Sequence, residues 1–221
     1  MKGDKRNIWI DAAYRRFALH GEAGLTVEAI ARDLGKNKSS FYHYFGDLQV
    51  LTFEILTQHL QNSKEVGRKI KNAIALDPDV IHIIIDHKID FLFHKQLKLG
   101  DPLLYKGHHE KAYAFVRDPL IIKLSEGLGI KDKQLFSSAL VGLVSDNFLL
   151  RIQQTTLSIQ WLRDYLKELQ ALTRLLNSLS FFRFLNGYRL KSITFSLYFR
   201  KEVKTKTCSY EIEVVKISGS L

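Results

Sequence analysis

Residues Thr26 to Phe45 read TVEAIARDLGKNKSSFYHYF, and the meaning of this stretch decides how everything around it is read. Val27, Ile30 and Leu34 recur at helical spacing behind Thr26, and Gly35 stands where a helix takes a left-handed residue to stop. The spacing predicts a short helix that ends there. Asn37 is a capping type, and Phe41 and Phe45, one turn apart, give a second helix an inward face. Lys38, Ser39, Tyr42 and His43 are left to look outward. Two helices joined by a tight turn, the second with a basic and hydroxyl-rich outer face, have the shape and chemistry that fit a DNA major groove.

Upstream, Ile10, Ala13, Tyr14 and Phe17 mark one face of a helix over about 7–20. Lys2, Lys5 and Arg6 precede it as a short basic arm, read either as a reach toward phosphates or as a frayed, solvated end. Within the second helix of the motif, Lys38 supplies charge, and Ser39 and Ser40 are small enough for the backbone to approach a groove. Tyr42, His43 and Tyr44 can donate to phosphates or base edges.

Ile10 to Gly21 (IDAAYRRFALHG), the Thr26-Val27-x-x-Ile30-Ala31 segment, Gly35, and Lys38 to Phe45 (KSSFYHYF) together, in order and spacing, resemble the tetracycline-repressor (TetR/AcrR) family of bacterial transcriptional regulators. The resemblance covers only the amino-terminal part of the chain. It implies an all-α fold: a three-helix head with a helix-turn-helix over residues 1–46, then a helical ligand-binding and dimerisation body over 47–177. It also implies a homodimeric repressor that grips a palindromic operator in double-stranded DNA and is released by a small-molecule ligand. The candidate DNA-binding positions are Thr26, to which the resemblance gives a phosphate contact, Lys38, Ser39, Ser40, Tyr42, His43 and Tyr44, read from the outer face of the second helix, and Lys36, added from its charge alone. Two positions depart from the family pattern: Lys36 stands where the turn usually has a buried aliphatic, and Leu48 where a lysine often clamps a phosphate. One lost phosphate contact weakens the salt-dependent, sequence-independent part of affinity.

The 221 residues, 46% apolar, suffice for a small head and a larger body, in an ordinary globular composition. The net charge of +10 suggests a polyanionic partner, and it divides as +3 over residues 1–45, +2 over 46–177 and +5 over 178–221. Cys208 is the only cysteine, which leaves neither a disulfide framework nor a cysteine-based zinc site within one chain and fits a reducing cytoplasm. The polar start and the shortness of the apolar runs predict a cytoplasmic protein with no membrane span.

In the body, Asp47 is expected to cap a long helix to about residue 71, lined by Leu48, Leu51, Ile55, Leu56 and Leu60. Asp77-Pro78 signals the next start, and residues 79–97 read as one central buried helix, apolar on almost every side. Residues 103–129 read as shorter helices broken at Gly107 and at Asp118-Pro119. Candidate ligand contacts are His87, Phe91 and His94, which share a face, with Tyr105 and Tyr113; ordinary core packing accounts for the same aromatics. The two-turn separation of His87 and His94 is not the one-turn spacing of a metal pair, so no metal is predicted. Helices over about 132–154 and 158–176 carry apolar stripes too broad for one partner, and by the resemblance they form the dimer interface.

Residues 178–221 form an atypical tail. Ile193, Phe195, Leu197 and Phe199 alternate with polar residues, as do Tyr210, Ile212 and Val214, which suggests a hairpin after the Asn186-Gly187 turn signal. A lone hairpin is marginal in water, so the tail packs on something or stays disordered. An alternative function follows from its charge: a basic helical interaction module that binds RNA, acidic lipid or a protein partner. No glycine-rich phosphate loop, nucleophile elbow or metal-ligand run points to an enzyme or to a cofactor.

Overall fold

Every element of the described chain is a helix, and those that begin at Val27, Lys38, Leu48 and Pro102 start at side-chain caps. The computed structural model describes residues 2–129 and 138–185, with side chains for 5–129 and 141–174. Helix α1 (Lys2–His20) leads through a short turn into α2 (Val27–Asp33) and α3 (Lys38–Phe45). Thr26 Oγ1 accepts from the Ala29 N–H at 3.3 Å and Asn37 Oδ1 from the Ser40 N–H at 2.9 Å, so both expected caps form. Gly35, at φ +60°, stops α2: its N–H donates to the Arg32 carbonyl and that of Lys36 to the Ala31 carbonyl. An added Cβ at Gly35 would meet nothing within 4 Å, so it is the backbone angle and not space that calls for glycine.

The inward residues of the head pack as their spacing predicts. Phe41 is fully buried against Trp9 (centroids 5.7 Å, edge-on) and Phe45 (5.3 Å). Tyr14 of α1 stacks on Phe93 at 4.3 Å and Phe17 lies tilted against the same ring at 4.5 Å, so the core of the head runs into that of the body.

Asp47 caps α4 (Leu48–Asn72), its carboxylate accepting from the Val50 N–H at 2.8 Å. A wide turn over Leu76–Val80 then feeds α5 (Ile81–Asp86), α6 (Lys88–Leu99), α7 (Pro102–Gly127), α8 (Ser138–Arg151) and α9 (Ile159–Leu185). No helix among the described residues is long and apolar enough to cross a membrane.

Five sequence expectations need correction. The basic arm is not separate: α1 begins at Lys2, and Arg6 donates to Glu54 at 2.6 Å while its guanidinium lies 4.9 Å over Phe45. The inward stripe of α4 carries His59 where Leu60 was expected, since His59 is buried and Leu60 only half-buried. The helix expected over 79–97 is two helices, broken at His87, whose ring is held by Lys69 and Asp90 while its backbone sits at φ −100°, ψ 23°. Residues 103–129 are one long helix and not several, because packing along α4 overrides Gly107 and Pro119. Finally, α9 continues past residue 176 to Leu185.

The α4–α7 contact has a specific cause. Pro119 has no N–H to give to the carbonyl four residues back, so the Phe115 carbonyl loses its partner in α7. That oxygen faces Gly67 of α4, where a Cβ would stand only 2.1 Å away. Only glycine lets the two helices meet there. Residues 132–137 of the expected closing helix and the whole expected hairpin over 192–214 lie outside the described residues.

Candidate functional site

The outer face of α2 and α3 is built as the caps and the two phenylalanines dictate. With Phe41 and Phe45 turned inward, Lys38, Ser39, Tyr42 and His43 are exposed together with Thr26 and Lys36, and Tyr42 is 54% accessible. Lys38 Nζ donates to Glu28 at 2.9 Å across the turn; both side chains are exposed, so the pair is weak and can be exchanged for a phosphate. That hydrogen bond holds the Lys38 ammonium above its ordinary value and the Glu28 carboxyl below its own. Ser40 is partly covered, and its hydroxyl donates to the Asn37 cap at 2.7 Å. Tyr44 is half-buried against the core, and Leu48, the departure after α3, packs there too. Thr26, Lys36, Lys38, Ser39, Tyr42 and His43 are thus exposed along α2, α3 and the turn between them, whereas Ser40 and Tyr44 are partly covered.

In the body, a cavity of about 90 Å³ lies between α4, α5, α6, α7, α8 and α9. Apolar side chains such as Val66, Ile81, Ile84, Leu124 and Phe148 line most of it, and His59, Asp90 and His94 line one side. An open cleft of about 420 Å³ shares Tyr113, Ser145 and Leu149 with the cavity wall, and Tyr113 and Ser145 are hydrogen-bonded at 2.9 Å between the two spaces.

The polar side of the cavity belongs to a buried network that starts in the head. The Tyr14 hydroxyl of α1 donates to Asp90 at 2.6 Å and lies 2.8 Å from His59 Nδ1. Asn62 donates to the same Asp90 oxygen at 2.8 Å, and His87 Nδ1 is 2.8 Å from the other. Lys69 donates to His87 Nε2 at 2.8 Å. On the far side, His59 Nε2 is 3.3 Å from His94 Nδ1, and His109 stacks on His94 at 4.3 Å. Burial pushes the His59 imidazole down to about 4, His94 well below its ordinary value, and the Tyr14 hydroxyl up. All three are neutral near pH 7. The histidine rings lie nearly parallel, and no group of three or more His, Cys, Asp or Glu among the described residues could hold a metal ion.

Of the five candidate ligand residues, Phe91, His94 and Tyr113 line the cavity. His87 stands behind the wall as the partner of Asp90, and Tyr105 lies elsewhere, packed edge-on against Phe17 at 5.6 Å. Core packing is therefore the role the structure gives Tyr105. Sequence reading passed over His59, Asp90 and Tyr14 as polar members of the wall and its network. The signal for His59 was available: residues 51, 55, 59, 63, 66 and 70 keep one helical face, and His59 and Ser63 interrupt it.

Residues 10–55 match the family model of bacterial regulatory proteins, tetR family. No curated protein matches the chain. Similar solved structures include a tetR-family transcriptional regulator from Streptomyces coelicolor (16% identity, TM-score 0.47, covering 77% of this chain and 83% of that one). Another is a Mesorhizobium loti protein assigned to the TetR-family transcriptional regulators (16% identity, TM-score 0.42, 77% of this chain and 96% of that one). Capped α2 and α3, the two helices of the helix-turn-helix, both lie within the residues that match the family model of bacterial regulatory proteins, tetR family.

Proposed function

We propose that the protein is a cytoplasmic, homodimeric transcriptional repressor that holds a palindromic operator and lets go when a small molecule enters the cavity of its body. Residues 1–46 act as the DNA-binding part and 47–177 as the effector and dimerisation part. Thr26, Lys36, Lys38 and Ser39 serve phosphates and the close approach of the backbone, Tyr42 and His43 the base edges, with Ser40 and Tyr44 supporting them. Pairing of two copies through α8 and α9 is supported by Leu143, Leu150 and Leu172, which are exposed on those helices. Two copies are needed because a palindrome presents its half-sites about one DNA turn apart.

The observation that carries the effector part is the Tyr14–Asp90–His59 network, which joins the first helix of the head to the wall of the cavity. A ligand that moves His59 or Asp90 shifts the seat of α1, and the size of the response is limited by the ligand's difference in affinity for the two arrangements. The test is retention of the purified protein on one genomic fragment in excess competitor DNA at stated salt, followed by elution with candidate ligands. Retention on one fragment and its loss on ligand addition are expected. Equal retention on every duplex, or retention that no ligand able to bind the cavity alters, overturns the proposal.

A further inference from the structure

The hydrogen bonds along the cavity wall have fixed directions that converge on the Asp90 carboxylate from two sides. Lys69 donates to His87 Nε2, so the proton of His87 is on Nδ1 and goes to Asp90. The Tyr14 hydroxyl gives its one proton to Asp90, so the contact of its oxygen with His59 Nδ1 needs the proton on that nitrogen. His59 Nε2 is then a lone pair, and the 3.3 Å contact needs His94 to donate from Nδ1. What is left at the end is His94 Nε2, an acceptor, buried and without a hydrogen-bond partner among the described residues.

His94 is 9% exposed and lines the cavity. The other polar side chains of the wall are engaged: Tyr113 with Ser145, Tyr165 donating to the Val144 carbonyl at 3.1 Å, Ser63 at 3.5 Å from His59, and Asp90 with its three donors. A buried acceptor left unpaired is costly, and a donor brought by a ligand relieves that cost. A carboxylate would set lone pairs against lone pair, and an ammonium would give up its water for one neutral acceptor among apolar walls. An uncharged donor meets neither objection.

We infer that the cavity takes a small, uncharged, largely apolar molecule that presents one hydrogen-bond donor, a hydroxyl or N–H, to His94 Nε2. The volume suits a single ring or a short chain. The inference rests on the proposed effector role of the cavity and names the ligand class for it. The same donor completes a relay that passes through His94, His59 and Tyr14, in the first helix of the head, and ends on Asp90.

The probes are p-cresol and p-xylene, equal in shape and differing by one hydroxyl, titrated at pH 7.5 without DNA into the full chain and its His94→Leu variant. The cresol-to-xylene affinity ratio is expected to be about tenfold higher in the wild type than in the variant. An equal ratio in the two proteins, or binding of neither probe to the wild type, overturns the inference. If the variant does not fold, the histidine nitrogen spectrum of the wild type decides: the His94 Nε2 resonance moves with p-cresol and not with p-xylene, and identical responses overturn it. Because DNA is absent, a ligand that binds selectively yet fails to release an operator counts against the effector role and leaves the ligand class standing.

Discussion

Acid should loosen this fold through His59 before most carboxylates protonate. The imidazole faces Tyr14 from α1, Ser63 on its own helix, Asp90 and His94 from α6, and His109 and His108 from α7. Burial brings it down to about 4, the two α7 histidines push the same way, and Asp90 opposes them. In the unfolded chain the group titrates near 6.5. Below that pH the unfolded state binds the extra proton, so the stability His59 contributes is complete above 6.5 and is lost as the pH falls toward 4. Between pH 7.5 and 5.0 the linkage relation gives a loss of about 2 kcal/mol from this residue. His94, shifted in the same direction, adds to it. Urea unfolding at the two pH values, at one protein concentration because the folded state is proposed to be a dimer, measures the loss. The control is His59→Asn, which keeps an N–H for the Tyr14 oxygen and cannot titrate. The wild type should lose about 2 kcal/mol more than this variant. Equal losses in the two proteins would refute the assignment of a buried, neutral His59.

Three further outcomes follow from the packing and the outer face. Phe41→Ala should cost about 3–5 kcal/mol, since the ring is fully buried, while Tyr42→Ala should change stability by no more than about 0.5 kcal/mol and lower DNA affinity; thermal melts and anisotropy titrations separate the two. Lys38→Ala should leave the melting temperature unchanged and reduce the salt dependence of DNA binding by about one counterion, measured as the slope of log affinity against log salt. Gly67→Ala should destabilise by about 1–3 kcal/mol or more, because its Cβ meets the Phe115 carbonyl; a Gly67→Ala protein with an unchanged urea midpoint would show that the α4–α7 contact is looser than described.

The head was legible because its signals are local. Thr26, Gly35, Asn37 and Asp47 act within four residues of where they stand, and the Phe41–Phe45 pair fixes which side of α3 is inside. The body was less so. Pro119 and Gly107 read as breaks, yet an extended contact with α4, made close by Gly67, keeps α7 continuous. Conversely, the apolar run around residues 79–97 hides a break at His87 that side-chain hydrogen bonds impose. Of the cavity wall, Phe91, His94 and Tyr113 were visible as aromatics and a histidine on α6 and α7. The network that polarises it was not, since Tyr14, His59 and Asp90 are separated by 45 and 76 residues from Tyr14 in the chain, and nothing local announces their meeting.

The central claim is that two copies each offer α3 to neighbouring major grooves of one duplex. Footprinting of the retained genomic fragment tests it most directly. The account predicts two protected, inverted half-sites about one helical turn apart, lost on Tyr42→Ala while the protein stays folded. A single protected patch matched to one copy, or protection that spreads evenly over any sequence, would contradict it.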